Sequence, residues 1–297
     1  MIFLQVILPV LLIFLCGYIL QRIFRMDLKP ISTMAIYVLS AALVFRTFYQ
    51  TRLDMNLFYI VLISLILMSG LIVITKCTVR WFAYDKEQES ALMLCTAFMN
   101  SGNYGAPVIL FAYGASGFAY AVQIMVFHSI LMSVFGVYFA SRGENGVQTA
   151  LKTVLKMPAN YAVVIGIAFQ YFQIVIPDNF YRAIDLVAEA AIPTVMLILG
   201  MQLANVNARA FEWKALSLAS AIRLAVSPAL AYLICLFFPI DALLQKVLIV
   251  LAAMPSAATT SMYAIQFNAR PQFVSSNVLI TTLLSIGTLT FLLSILQ

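Results

Sequence analysis

Charge is scarce in this chain: 17 Lys and Arg, 11 Asp and Glu and a single histidine among 297 residues, 9% charged in all. A soluble globular protein, which draws about a quarter of its residues from the charged set, is excluded. The four cysteines, Cys16, Cys77, Cys95 and Cys235, lie far apart with no Cys-x-x-Cys pair. With one histidine besides, no zinc site of ordinary ligand spacing can be built, so neither a metal nor a cofactor is expected. The net charge of +6 comes from thinly scattered basic residues. Without a basic stripe interleaved with aromatics, it does not indicate a nucleic-acid partner. Nor is there a Gly-rich nucleotide loop that would couple ATP.

What is abundant is apolar. The hydrophobic set makes up 64% of the chain and the mean hydropathy is +1.02, so the expected partner is the lipid bilayer. At about 20 residues per crossing, apolar stretches near 2–21, 31–49, 56–75, 90–113, 117–140, 160–176, 182–204, 214–238, 243–267 and 272–296 predict ten transmembrane helices in an all-α, multi-pass protein. The first stretch has no Lys or Arg before Arg22 and is too long for a cleaved signal, so it reads as the first helix.

Basic residues collect on the cytoplasmic side of a membrane protein. Under the ten-span assignment, Arg22, Arg25, Lys29, Lys76, Arg80, Lys86, Arg142, Lys152, Lys156, Arg209, Lys214 and Arg270 share one side. Arg46, Arg52, Arg182 and Lys246 fall on the other, and Arg223 lies within a span. The asymmetry places both termini on the non-cytoplasmic side, with a bacterial inner (plasma) membrane as the expected location.

The longest hydrophilic break, 141–156, contains Arg142, Glu144, Lys152 and Lys156 and reads as a cytoplasmic linker between repeats 1–140 and 157–297. The spacing of Val147, Leu151, Val154 and Leu155 permits an interfacial helix there. Five spans per half invert the second half relative to the first. A slide of 155 residues lays Ser90–Phe118 on Gln245–Phe273, matching Ala97 with Ala252, Met99 with Met254, Ser101 with Ser256 and Phe118 with Phe273. Gly17 and Gln21 have the spacing of Gly166 and Gln170.

The fourth span contains Asn100, Gly102, Asn103, Gly105 and Pro107 near its middle, and the aligned part of the ninth contains Pro255, Ser256, Thr259 and Thr260. Glycine weakens a helix by about 1 kcal/mol relative to alanine, and proline removes a donor. Both helices are therefore expected to break, with Ser256, Thr259 and Thr260 able to cap what restarts. Unwound backbone at membrane depth must be satisfied by protein or a wet cavity, and half-helix N-termini favour anions. The paired breaks point to a midplane site for an anion or polar solute; packing kinks are the alternative reading.

The pattern Asn100-x-Gly102-x-x-Gly105-x-Pro107 followed by Tyr113-Gly114, with Ala253-Met254-Pro255 and Ile192-Pro193 before Leu199-Gly200-Met201, resembles the auxin efflux carrier family, whose fold is similar to that of bile acid/sodium symporters. That resemblance implies two inverted five-helix repeats with crossover helices 4 and 9, a scaffold of helices 1, 2, 6 and 7, and a transport unit of helices 3–5 and 8–10. It further implies an organic anion, expected to be a carboxylate, moved by an elevator-like displacement, and it allows a homodimer through the scaffold. Proton or sodium coupling stays open. The ninth-span break offers Ser and Thr where some relatives have an amide, so the resemblance does not specify the substrate.

Among buried polar residues, Asn100 and Asn103 either present amides to a carboxylate or cap the broken ends. His128 either contacts substrate or carries a proton, or is a satisfied core histidine. Glu189 and Arg223 approach each other in depth from opposite faces and are expected to pair, as a gate, a coupling pair or a structural salt bridge, with Asp185 competing. Arg46 and Lys246 are expected to snorkel. A membrane sensor or structural partner with the same fold is the alternative function; an intramembrane enzyme would need a nucleophile with a base or paired carboxylates, for which the chain offers little. A topology reporter fused after Gln297 is expected to score non-cytoplasmic; a cytoplasmic score would overturn the span count or the orientation.

Overall fold

The computed structural model describes residues 3–50, 55–141, 155–205 and 212–296. Arg52, Arg209 and nearly all of the 141–156 linker, including Val147, Leu151 and Val154 of the expected interfacial helix, lie outside the described residues. Every regular element among the described residues is helical. Seven helices there are long and apolar enough to cross a membrane: Phe3–Phe24, Leu28–Gln50, Met55–Trp81, Ser101–Ala140, Asp178–Ala204, Trp213–Cys235 and Pro271–Leu296.

In chain order, the helices are α1 (Leu8–Phe24), α2 (Leu28–Met34), α3 (Ser40–Gln50), α4 (Met55–Trp81), α5 (Lys86–Thr96), α6 (Ala106–Leu131) and α7 (Val137–Ala140). They continue with α8 (Pro158–Tyr171), α9 (Asp178–Glu189), α10 (Ala191–Ala204), α11 (Trp213–Ala221), α12 (Ser227–Cys235), α13 (Ala242–Ala252), α14 (Ala258–Gln266) and α15 (Pro271–Leu296). Three of the expected stretches are not among the seven long helices. The 160–176 stretch forms α8, only 14 residues long. The 243–267 stretch is split into α13 and α14, of 11 and 9 residues. The 90–113 stretch is cut after Thr96, and its second part continues into the next stretch as one run of 40 residues. That run is interrupted at Gly114, whose φ of 66° and ψ of −161° only glycine adopts readily.

The two short helices α5 and α13 begin alike. Asp85 caps α5 by accepting from Gln88 N at 2.7 Å, and Asp241 caps α13 by accepting from Leu244 N at 2.8 Å. Such a cap satisfies one of the orphan N–H groups of a first turn. Both helices are buried throughout their last turns, Ser90–Thr96 and Val247–Ala252. Together they bring the two chain breaks to the middle of the protein.

Outside this centre, helix pairs meet at glycines. A methyl built on Gly17 of α1 would lie 2.1 Å from the Leu197 carbonyl oxygen of α10, and one on Gly200 of α10 would lie 1.9 Å from that of Phe14 of α1. The two backbones are therefore in direct contact, as small residues allow between membrane helices. Gly166 of α8 does the same less tightly against Phe45 of α3, at 3.1 Å. The glutamines one turn further on also behave alike: Gln21 donates to Met26 O at 3.1 Å, and Gln170 to Tyr49 O at 3.4 Å.

Gly17→Ala and Gly200→Ala should each lower the melting temperature, since overpacking a tight contact costs about 1–3 kcal/mol. Gly287→Ala in α15, where an added methyl meets nothing within 4 Å, should hold or raise it. Equal effects at all three positions would show that the α1–α10 approach is not tight.

Candidate functional site

The two unwound segments, 97–100 and 253–257, cross each other. Asn100 N donates to Pro255 O at 2.8 Å and Ala257 N to Phe98 O at 3.0 Å. Met99 and Ser256 thus face each other in a one-residue antiparallel bridge. This satisfies backbone groups that would otherwise be stranded in the buried interior.

The fourth-span break lies earlier than the glycines suggest. The helix resumes at Ser101 through a π-helical turn to Gly105, whose N–H donates to Asn100 O at 2.9 Å, and Pro107 sits in the first turn of α6. Gly105 serves the crossing by its size: a methyl there would come within 2.5 Å of Leu251 Cδ2 on α13. Gly102 and Asn103 are half-buried. Asn100 is 4% exposed, and its Nδ2 is buried without a partner.

The ninth-span hydroxyls are placed differently from the expectation that they cap α14. The N-cap is Ala257, with no side-chain cap bond. Ser256 Oγ instead donates to Cys95 O at 2.6 Å and accepts from Asn277 Nδ2 at 2.8 Å. Thr260 Oγ1 turns back to Ala257 O at 2.7 Å. Both side chains are fully buried, whereas Thr259 is half-buried. His128 Nε2 accepts from Met99 N at 3.1 Å, with its ring 6.2 Å from that of Phe98. Since an accepting nitrogen carries no proton, this ring atom holds the crossover backbone as a neutral acceptor.

The expected pairing of Glu189 with Arg223 does not form. Glu189 is exposed; its neighbour Ala188 takes the buried position of α9, and one residue turns the helix by about 100°. Asp185 pairs with Arg46 at 2.6 Å instead of competing for Arg223. Arg223 is 1% exposed and lies in a π-helical turn, Ile222–Val226. Its Nη1 donates to Thr96 O at 2.8 Å, and its Nη2 to Ala252 O at 2.6 Å and to Ser227 Oγ. Thr96 and Ala252 are the last residues of α5 and α13. The guanidinium therefore joins the carbonyl ends of both half-helices, and among the described residues no carboxylate pairs with it.

A cavity of about 370 Å³ lies between the α2 start, the α10 end, α14 and α15. Its polar lining is Gln202, Asn205, Ser261, Gln272 and Ser275, with no charged residue. It meets the crossover at Ala258, the first residue of α14, and none of the crossover residues singled out from the sequence lines it. Gln202 Oε1 is buried without a partner, while Asn205 Oδ1 accepts from Gln21 Nε2 at 3.2 Å. Sequence reasoning missed these residues because single amides and hydroxyls near helix ends carry no spacing signal. A second, much smaller cavity touches Ser64, His128 and Arg223.

Comparison with known proteins gives a consistent result. A family model described as "Membrane transport protein" matches residues 2–293. An uncharacterized transporter of Methanothermobacter thermautotrophicus is 27% identical over 294 residues, 96% of this chain and 95% of that protein. An uncharacterized transporter of Methanocaldococcus jannaschii is 26% identical over 211 residues, covering 69% of this chain and 68% of that protein.

His128→Phe should destabilise the protein by about 1–3 kcal/mol, because it leaves the buried Met99 N–H without an acceptor. His128→Gln, which can supply an acceptor oxygen, should recover part of that loss. Denaturation of the purified variants decides; equal stability of the Phe variant and the wild type would show that the bond to Met99 contributes nothing.

Proposed function

The chain belongs to the membrane transport protein family, the auxin efflux carriers that its fourth-span motif resembles, and we propose that it is a secondary carrier for a small organic anion of the carboxylate class. The ten-span arrangement accounts for the helices as follows. The Ser101–Ala140 run is about 60 Å long at 1.5 Å per residue, twice a hydrocarbon core, and Gly114 divides it. The split helices α5 with 101–113, and α13 with α14, are then spans four and nine of two inverted repeats.

One observation carries the reading. At the crossing of the two breaks, the bridging backbone groups and the Ser256 and Thr260 hydroxyls are consumed internally, while the Asn100 amide is buried with Nδ2 unpartnered. A buried donor without an acceptor is costly unless a ligand supplies one. Two further features suit a carboxylate. The first turn of α14 has no side-chain cap and carries positive partial charge. The 370 Å³ cavity beside it has amides and hydroxyls but no acidic side chain to repel an anion.

The cavity separates scaffold elements (α2, α10) from transport-unit elements (α14, α15) in this reading, which is where an elevator-like displacement would slide. Leu28 and Pro271, on its rim, adjoin Lys29 and Arg270 of the basic-rich side. In the proposed orientation the cavity opens to the cytoplasm.

Purified protein in proteoliposomes should take up a radiolabelled carboxylate from a panel of mono- and dicarboxylates. Asn100→Ala should raise the half-saturation concentration by a few-fold to about a hundredfold, the effect of losing a hydrogen bond of about 0.5–3 kcal/mol. Its melting temperature should stay near that of the wild type. Unchanged half-saturation in a destabilised variant would overturn the binding role.

A further inference from the structure

Where membrane transporters couple to a cation, the ion is held by unwound carbonyls and by half-helix C-terminal ends, which carry negative partial charge. This protein has such a place, formed by the Thr96 and Ala252 carbonyls at the ends of α5 and α13. Both carbonyls accept hydrogen bonds from Arg223, at 2.8 and 2.6 Å, and Ser227 Oγ also donates to Ala252 O at 2.8 Å. We propose that the Arg223 guanidinium is a built-in cation occupying the position of a coupling ion, so that this carrier loads no sodium between its two half-helix C-termini.

Charge arithmetic supports the assignment. Each helix C-terminus is equivalent to about half a negative charge, so two of them balance one guanidinium. That accounts for a cation buried to 1% exposure with no carboxylate partner among the described residues. A guanidinium cannot be deprotonated in proteins, so this charge is permanent through a transport cycle. The other polar side chains lining the small cavity at Arg223, those of Ser64 and His128, add no negative charge. Arg223 Nε and Ser64 Oγ are both buried without partners, a polar setting that a single water would suit.

The geometry makes an unusual prediction: removing the tethered cation should create a binding site for a free one. Arg223→Ser, which opens the space and leaves a hydroxyl, should melt lower than wild type in choline chloride. In NaCl of equal ionic strength its melting temperature should recover saturably by at least about 2 °C. Wild type and Arg223→Lys should melt alike in the two salts. Arg223→Gln provides the same test if the serine variant does not fold. A variant equally destabilised in sodium and choline, or a sodium response shared by variant and wild type, would overturn the assignment. Wild-type flux should persist when choline replaces sodium on both sides, and a saturable sodium requirement abolished by Arg223→Lys would also overturn it. The consequence for coupling rests on the carrier reading, but melting needs no substrate, so failure of that reading would show separately as absent flux.

Discussion

A helix that stops in the middle of a bilayer leaves carbonyl groups without partners, and two such ends brought together repel each other. The structure resolves both problems with one side chain. Arg223 spans the ends of α5 and α13, and its planar fork reaches a carbonyl of each. The crossing downstream requires these ends to stay side by side. Only with them in place can Asn100 meet Pro255 and Ala257 meet Phe98, or Ser256 reach back to Cys95 at the last turn of α5.

Polar groups near the crossing consequently fall into two sets. One is consumed by architecture: Ser256, Thr281 and the Asn277 amide nitrogen form a connected set of bonds linking α5, the ninth-span break and α15, and Thr260 turns back to Ala257 O. His128 belongs with them, since its Nε2 anchors Met99. The other set has spare capacity and includes Asn100 Nδ2, Asn277 Oδ1 and Gln202 Oε1. A hydroxyl near a binding site is thus a poor guide to binding until its other bonds are known.

The presence and approximate place of both breaks were legible in the sequence because glycine and proline act locally. The actual ends were not, because they depend on where a second segment crosses; Gly102 and Gly105 lie within the resumed helix. Partner choice was the least legible feature. Arg223 was expected to seek a carboxylate, but its acceptors are backbone carbonyls 127 and 29 residues away, and every residue has a carbonyl. The Arg46–Asp185 pair joins α3 to α9 across 139 residues, a proximity that depends on how those helices pack. By contrast, Gly17 with Gln21 and Gly166 with Gln170 were visible as a repeated spacing and occupy comparable helix contacts.

The Arg223 clamp also sets an order on biosynthesis. Thr96 is synthesised 127 residues before the side chain that satisfies it, and the backbone bridge needs a still later segment, 253–257. In the proposed ten-span arrangement, a nascent chain that has released only its first half holds an open helix end among hydrocarbon, where each unsatisfied group costs several kcal/mol. In that arrangement the first half needs water or shelter at this end until its counterpart arrives. Damage that delays insertion of the Trp213–Cys235 helix would accordingly strand residues translated long before it, so the earliest sign of such a defect would be at Thr96 and not at the lesion.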